Sequence, residues 1–93
     1  MRSAPVKTVV LGSEDDEHLR RSLNDVVLRM GGRQLMHECS VGGAQAFERV
    51  EAEIRKRRVF IDARTNAGLS ICGPFDLVEE IHGMVKHQLS TRR

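Results

Sequence analysis

Residues 44–74 read AQAFERVEAEIRKRRVFIDARTNAGLSICGP, and how they fold decides the architecture of the chain. Taken as a helix, Ala46, Phe47, Val50 and Ile54 form an apolar stripe, and Ala, Glu, Arg and Lys all favour helix. Taken as a strand, residues 49–55 alternate without a fault: Val50, Ala52 and Ile54 point inward, Glu51 and Glu53 outward. Propensity favours the helix, whereas connectivity argues for the strand. Val59, Phe60 and Ile61 read as a strand, and a helix ending near Arg57 would have no Gly, Asn or Pro to stop it. A hairpin through Arg55, Lys56, Arg57 and Arg58 also lacks the preferred Gly or Asn. The strand is the reading adopted. Thr65, Asn66, Ala67 and Gly68 form the next turn, residues 69–72 a short strand, and the stretch becomes an antiparallel meander.

Upstream, residues 1–5 are a loose lead-in and residues 6–11 (VKTVVL) a β-branched strand closed by Gly12. Ser13 is the expected N-cap of a first helix, with Asp16 in the capping-box position. Leu19, Leu23, Val26, Val27 and Met30 recur at helical spacing, and Leu28 points away from them. Asp16–Arg20, Glu17–Arg21 and Asp25–Arg29 are spaced as i,i+4 ion pairs. Gly31 and Gly32 end the helix. Residues 33–41 alternate and predict a half-buried strand, with Leu35, His37, Cys39 and Val41 on one face. Downstream, Pro74 suits the first position of a last helix. That helix carries Leu77, Val78, Ile81, Met84, Val85 and Leu89 on one side and Gly83 on the other; residues from Ser90 onward fray.

The expected fold is therefore an α+β two-layer sandwich, β-α-β-β-β-β-α, with a largely antiparallel sheet and two helices on one face. The alternative is β-α-β-α-β-β-α, with residues 44–57 partly helical. Ninety-three residues suit one domain, residues 1–93, with no repeat or linker. Such a chain buries roughly two-thirds of its unfolded surface. With three Phe, no Tyr and no Trp, its core must be aliphatic.

A net charge of +2 is too small to argue for a polyanion partner. The run Arg55, Lys56, Arg57, Arg58, with Arg92 and Arg93, is the one feature that suggests nucleic-acid binding, and neighbouring Glu48, Glu51 and Glu53 dilute its field. Without Tyr or Trp, most base-stacking platforms are missing. Gly12 and Ser13 join strand to helix, but no GxGxxG or GxxxxGK[ST] is present and the acids that follow repel phosphate. His37 and Cys39 share a strand face and are candidates for a ligand pair or a thiol with its base. A metal site there needs further ligands, and only Cys72 and unplaced histidines remain, so neither metal nor cofactor is expected. His82 and His87 are five apart and lie on different faces of the last helix. Cys72 reads as a structural thiol.

No signal peptide or membrane-length apolar run is apparent, which predicts a cytoplasmic chain with reduced cysteines and no membrane partner. No convergent catalytic set emerges, so the chain is not read as an enzyme. The leading functional expectation is a non-catalytic accessory or interaction domain, homodimeric through the outer sheet face with Glu51, Glu53 and Phe60. The alternatives are polyanion binding through Arg55–Arg58 and a small-molecule or enzymatic pocket near His37 and Cys39.

Overall fold

Residues 45–54 form a strand, not a helix. In the computed structural model, which describes residues 6–43 and 45–91, the elements are β1 (Val6–Gly12), α1 (Glu17–Arg29), β2 (Arg33–Gly42), β3 (Gln45–Ile54), β4 (Arg57–Arg64), β5 (Gly68–Pro74) and α2 (Phe75–Thr91). The lead-in at residues 1–5, Ala44, Arg92 and Arg93 lie outside the described residues. The five strands form one sheet in the order β1-β5-β4-β3-β2, antiparallel at each pairing, so the predicted β-α-β-β-β-β-α sandwich is the fold. β3 lies inside the sheet, where a period of two buries Ala52 and Ile54 beneath the helices. That burial outweighs the helical propensity of its Glu and Arg residues, which is worth only a few tenths of a kcal/mol per residue.

β1 and β2 sit at opposite edges of the sheet, so α1 must carry the chain from one edge to the other. Four strand spacings amount to ~19 Å. The 13 residues of α1 rise ~20 Å, so the helix is as long as the sheet is wide. Leu19, Leu23, Val26 and Val27 of α1 join Leu77, Val78, Ile81 and Val85 of α2 over Ile54, Val59, Leu69 and Ile71 to form the core, and Leu28 is exposed as expected. α2 packs on α1, β1 and β5, and so covers the β1 side of the sheet.

Five local expectations change. The N-cap of α1 is Asp16, whose side chain accepts from Leu19 N at 3.1 Å, while Ser13 to Asp16 form a turn closed by Asp16 N donating to the Ser13 carbonyl. With Asp16 engaged in capping, Arg20 turns instead to Glu48; Asp25–Arg29 does pair, at 3.1 Å. β2 is exposed along its whole length rather than half-buried, because it is an edge strand that neither helix covers. Pro74 ends β5, paired with Val6, and α2 starts at Phe75. α2 holds helical form through Ser90 to Thr91. Gly31 takes φ 79°, the expected left-handed stop for α1. At Gly32 a Cβ would lie 2.7 Å from the Val27 carbonyl oxygen, so only glycine lets the chain leave α1 so close to the core.

Candidate functional site

Both helices pack on the same side of the sheet, so among the described residues the other face has no covering layer. Cross-strand register sets what that face displays. Glu38, Arg49 and Asp62 form one row; Met36, Glu51, Phe60 and Cys72 the next; Arg33, Glu53 and Arg58 a third; Ser40, Phe47 and Arg64 a fourth. Arg49 holds Asp62 in a two-pronged ion pair at 2.7 and 3.1 Å, and its guanidinium lies 5.5 Å from the Phe47 ring and 5.4 Å from the Phe60 ring. Arg64 covers Phe47 at 4.7 Å. The Asp62 carboxylate holds the Arg49 pKa above its ordinary value, so the two stand as a neutral ion pair. Arg33–Glu53 and Arg58–Glu51 complete the pairing, each at 3.1 Å. Bases Arg33, Arg49, Arg58 and Arg64 are matched by acids Glu38, Glu51, Glu53 and Asp62, and Phe47, Phe60, Met36, Val6 and Val10 supply the apolar surface. The predicted residues Glu51, Glu53 and Phe60 therefore share this face, and Phe47, Arg49 and Asp62 belong with them. The alternation read over residues 49–55 did not reach Phe47, and both Phe47 and Asp62 needed the pairing register.

The basic run is divided. Arg55 and Lys56 are the two loop residues between β3 and β4, and Arg57 and Arg58 already belong to β4. Arg55 binds Glu80 through two hydrogen bonds of 3.1 Å, and Arg57 binds Asp76 through bonds of 2.9 and 3.0 Å. Arg57 thereby holds the Asp76 carboxyl below the ordinary carboxylate range, at the start of α2. With Arg58 on Glu51, Lys56 is the one base of the four without an ion-pair partner among the described residues.

On the helix-facing side, the uncovered part of the β2–β3 hairpin gathers polar groups. Cys39 lies directly opposite Glu48, and His37 lies two residues away on the same face. His37 Nε2 is 2.7 Å from Glu48 Oε2 and 3.4 Å from Cys39 Sγ. Arg20 of α1 pairs with Glu48 Oε1 and donates to the Glu14 carbonyl at 2.9 Å. The Arg20 guanidinium holds the Glu48 carboxyl below its ordinary range; burial opposes this and His37 adds to it. Cys72 lies on the other sheet face and takes no part. Sequence spacing found His37 and Cys39 but not Glu48, which reaches them only through the hairpin register, nor Arg20, which reaches Glu48 only because α1 crosses the sheet.

Beside this cluster, between α1 and the sheet, lies a cleft of about 390 Å³. Leu23, Val27, Leu28, Val50, Ile61 and Leu69 line it, with Arg20 and Glu48 at its rim. It exists because α2 fills the β1 side of the helical layer and, among the described residues, no third helix fills the other. Among the described residues, no helix is long and apolar enough to cross a membrane.

Fold and surfaces together define a two-layer α+β domain with one bare sheet face. Comparison of the chain with protein-family models, with curated proteins and with solved structures gave no match.

Proposed function

We propose that this is a non-catalytic interaction domain that works as a homodimer through its bare sheet face. The observation that carries this reading is the charge balance of that face around an aromatic and arginine centre. A surface that carries acids and bases in equal number, with three of its four bases beside an acid, can complement itself under a two-fold axis and offers little to a polyanion. Aromatic residues and arginine are the side chains that dominate interface energies. Five strands at about 4.8 Å and roughly eight residues each give a face of ~600 Å², close to the ~800 Å² per partner of a standard interface. The two thiols lie on opposite faces of the sheet, where they cannot join within one chain, which supports a reducing, cytoplasmic setting.

Sedimentation equilibrium at micromolar concentration tests the dimer. The wild type should sediment at twice its 10.5 kDa chain mass and Phe60→Glu at the chain mass, with unchanged far-ultraviolet circular dichroism. A wild type that stays monomeric at tens of micromolar sinks the proposal.

The cleft under α1 favours a second reading, binding of a small apolar ligand, because its volume and apolar walls fall in the range of ligand sites. Saturable binding of an apolar dye at one site per chain, lost in Leu28→Lys at the exposed lip, is the expected result. Native protein that binds no dye ends this reading.

A further inference from the structure

We propose that His37, Cys39 and Glu48 form a site for a divalent transition-metal ion of the zinc type. Nε2 of His37, Sγ of Cys39 and a carboxylate oxygen of Glu48 all lie within 4.8 Å of one another. The cluster is on the helix-facing side, so the proposal stands independently of the dimer face.

The geometry separates chelation from thiol catalysis. A thiol–imidazole–carboxylate relay needs the thiol on one ring nitrogen and the carboxylate on the other, so that a proton taken at one is balanced at the other. Here the 2.7 Å contact from Glu48 and the 3.4 Å contact from Cys39 both address Nε2. The carboxylate competes with the thiol for one nitrogen and does not orient the ring for it. Three donors of different ligand types within 4.8 Å of one another are instead what a cation can use.

The two contacts that involve Nε2 lie close to zinc spacing. Zinc-to-ligand distances of about 2.0–2.3 Å at tetrahedral angles put ligand atoms roughly 3.4–3.6 Å apart. The 3.4 Å between Sγ and Nε2 already matches, and the 2.7 Å between Nε2 and Oε2 must open by about 0.7 Å, a small rotation of the Glu48 side chain. The mixed nitrogen, sulfur and oxygen set selects zinc or cobalt over magnesium and calcium, which prefer all-oxygen shells. His37 and Cys39 are exposed, so the fourth position is open to water.

The donors are also positioned in advance. All three stand on paired strands, which fix their spacing better than a loop would. Arg20 holds Glu48 Oε1, leaving Oε2 for the ion, and is itself held by the Glu14 carbonyl. That makes Arg20 a positioning residue of the outer shell, the role that commonly costs tenfold or more in affinity when removed.

Cobalt(II) titration of the untagged, reduced protein tests the site. One equivalent should produce the thiolate-to-cobalt charge-transfer band together with visible bands of four-coordinate cobalt, and zinc should abolish both. Cys39→Ser should lose the charge-transfer band. His37→Asn and Glu48→Gln should weaken binding at least tenfold, as should Arg20→Gln, while Cys72→Ser binds like the wild type. In parallel, zinc should slow iodoacetamide alkylation of Cys39 at least tenfold and leave Cys72 unchanged. The mutated side chains are exposed or half-exposed, and circular dichroism confirms that each variant folds. Three results would overturn the proposal: no charge-transfer band at millimolar cobalt, a band that survives Cys39→Ser, or a band lost in Cys72→Ser.

Discussion

Replacing Lys56 by glycine should stabilise this protein. Ile54 and Arg57 pair across the β3–β4 hairpin, so Arg55 and Lys56 are its two loop residues, with φ of 53° and 67°. This is the type I′ turn that matches the twist of a hairpin and normally uses Asn-Gly. A left-handed conformation costs a residue with a Cβ roughly 1–2 kcal/mol. Glycine avoids that cost but gives up about 0.5–1 kcal/mol of unfolded-chain freedom. The net gain for Lys56→Gly is about 0.5–1 kcal/mol. Unfolding 93 residues at about 2.1 cal/mol/K each gives an entropy near 0.2 kcal/mol/K, so Tm should rise by about 3–5 °C. Position 56 isolates the effect, since Lys56 is exposed and has no ion-pair partner among the described residues, whereas Arg55→Asn would also break the bidentate contact to Glu80. Thermal unfolding by circular dichroism provides the measurement, with Lys56→Ala as control. Alanine keeps the left-handed strain and should leave Tm nearly unchanged. The reasoning is refuted if glycine fails to raise Tm, or if alanine raises it equally.

Two further outcomes are expected. Ser22 is fully buried in α1, and its Oγ has no hydrogen-bond partner among the described residues, so Ser22→Ala should raise the urea midpoint by an amount equivalent to about 1 kcal/mol. In acid, Glu48 bears on stability with a definite sign. Arg20 depresses its carboxyl in the folded state, so the stability it contributes is present above its ordinary value of 4.5 and is lost as pH falls below that. Arg20→Gln should therefore move the acid-unfolding midpoint to higher pH, and an unmoved midpoint in a circular dichroism titration would contradict this.

The sheet and both helices were legible in the residues because each carries one dominant period. Leu19 to Met30 repeats as a helix, Val50 to Ile54 as a strand, and Asn66 with Gly68 marks a turn. Residues 45–54 were ambiguous because charged residues that favour helix occupy the outer positions of a strand; the decision lay in burial, which only the assembled sheet provides. β2 shows the converse limit. Its residues alternate in sequence, yet the strand is exposed on both faces and slips in register between Gln34 and Met36, because alternation records neither a bulge nor whether a helix lies above. Candidate chemistry was legible only where it is local. His37 and Cys39 are two residues apart, while Glu48 and Arg20 reach them through hairpin register and helix crossing. The basic run showed its charge in sequence but not the acids of α2 that pair with it.

The match between the length of α1 and the width of the sheet limits how this chain can vary. Adding one residue to α1 would lengthen it by about 1.5 Å and swing every later side chain by about 100° around the axis. Leu23, Val26 and Val27 would leave the core, and β2 would be delivered beyond the edge it must occupy. The loop between β2 and β3 and the turn after Arg64 carry no such constraint, since each joins strands already side by side. Insertions and deletions should therefore be tolerated at the ends of the meander and rejected in α1. A peptide tag or a second domain spliced into the chain belongs in those loops, because the first helix acts as a spacer of fixed length.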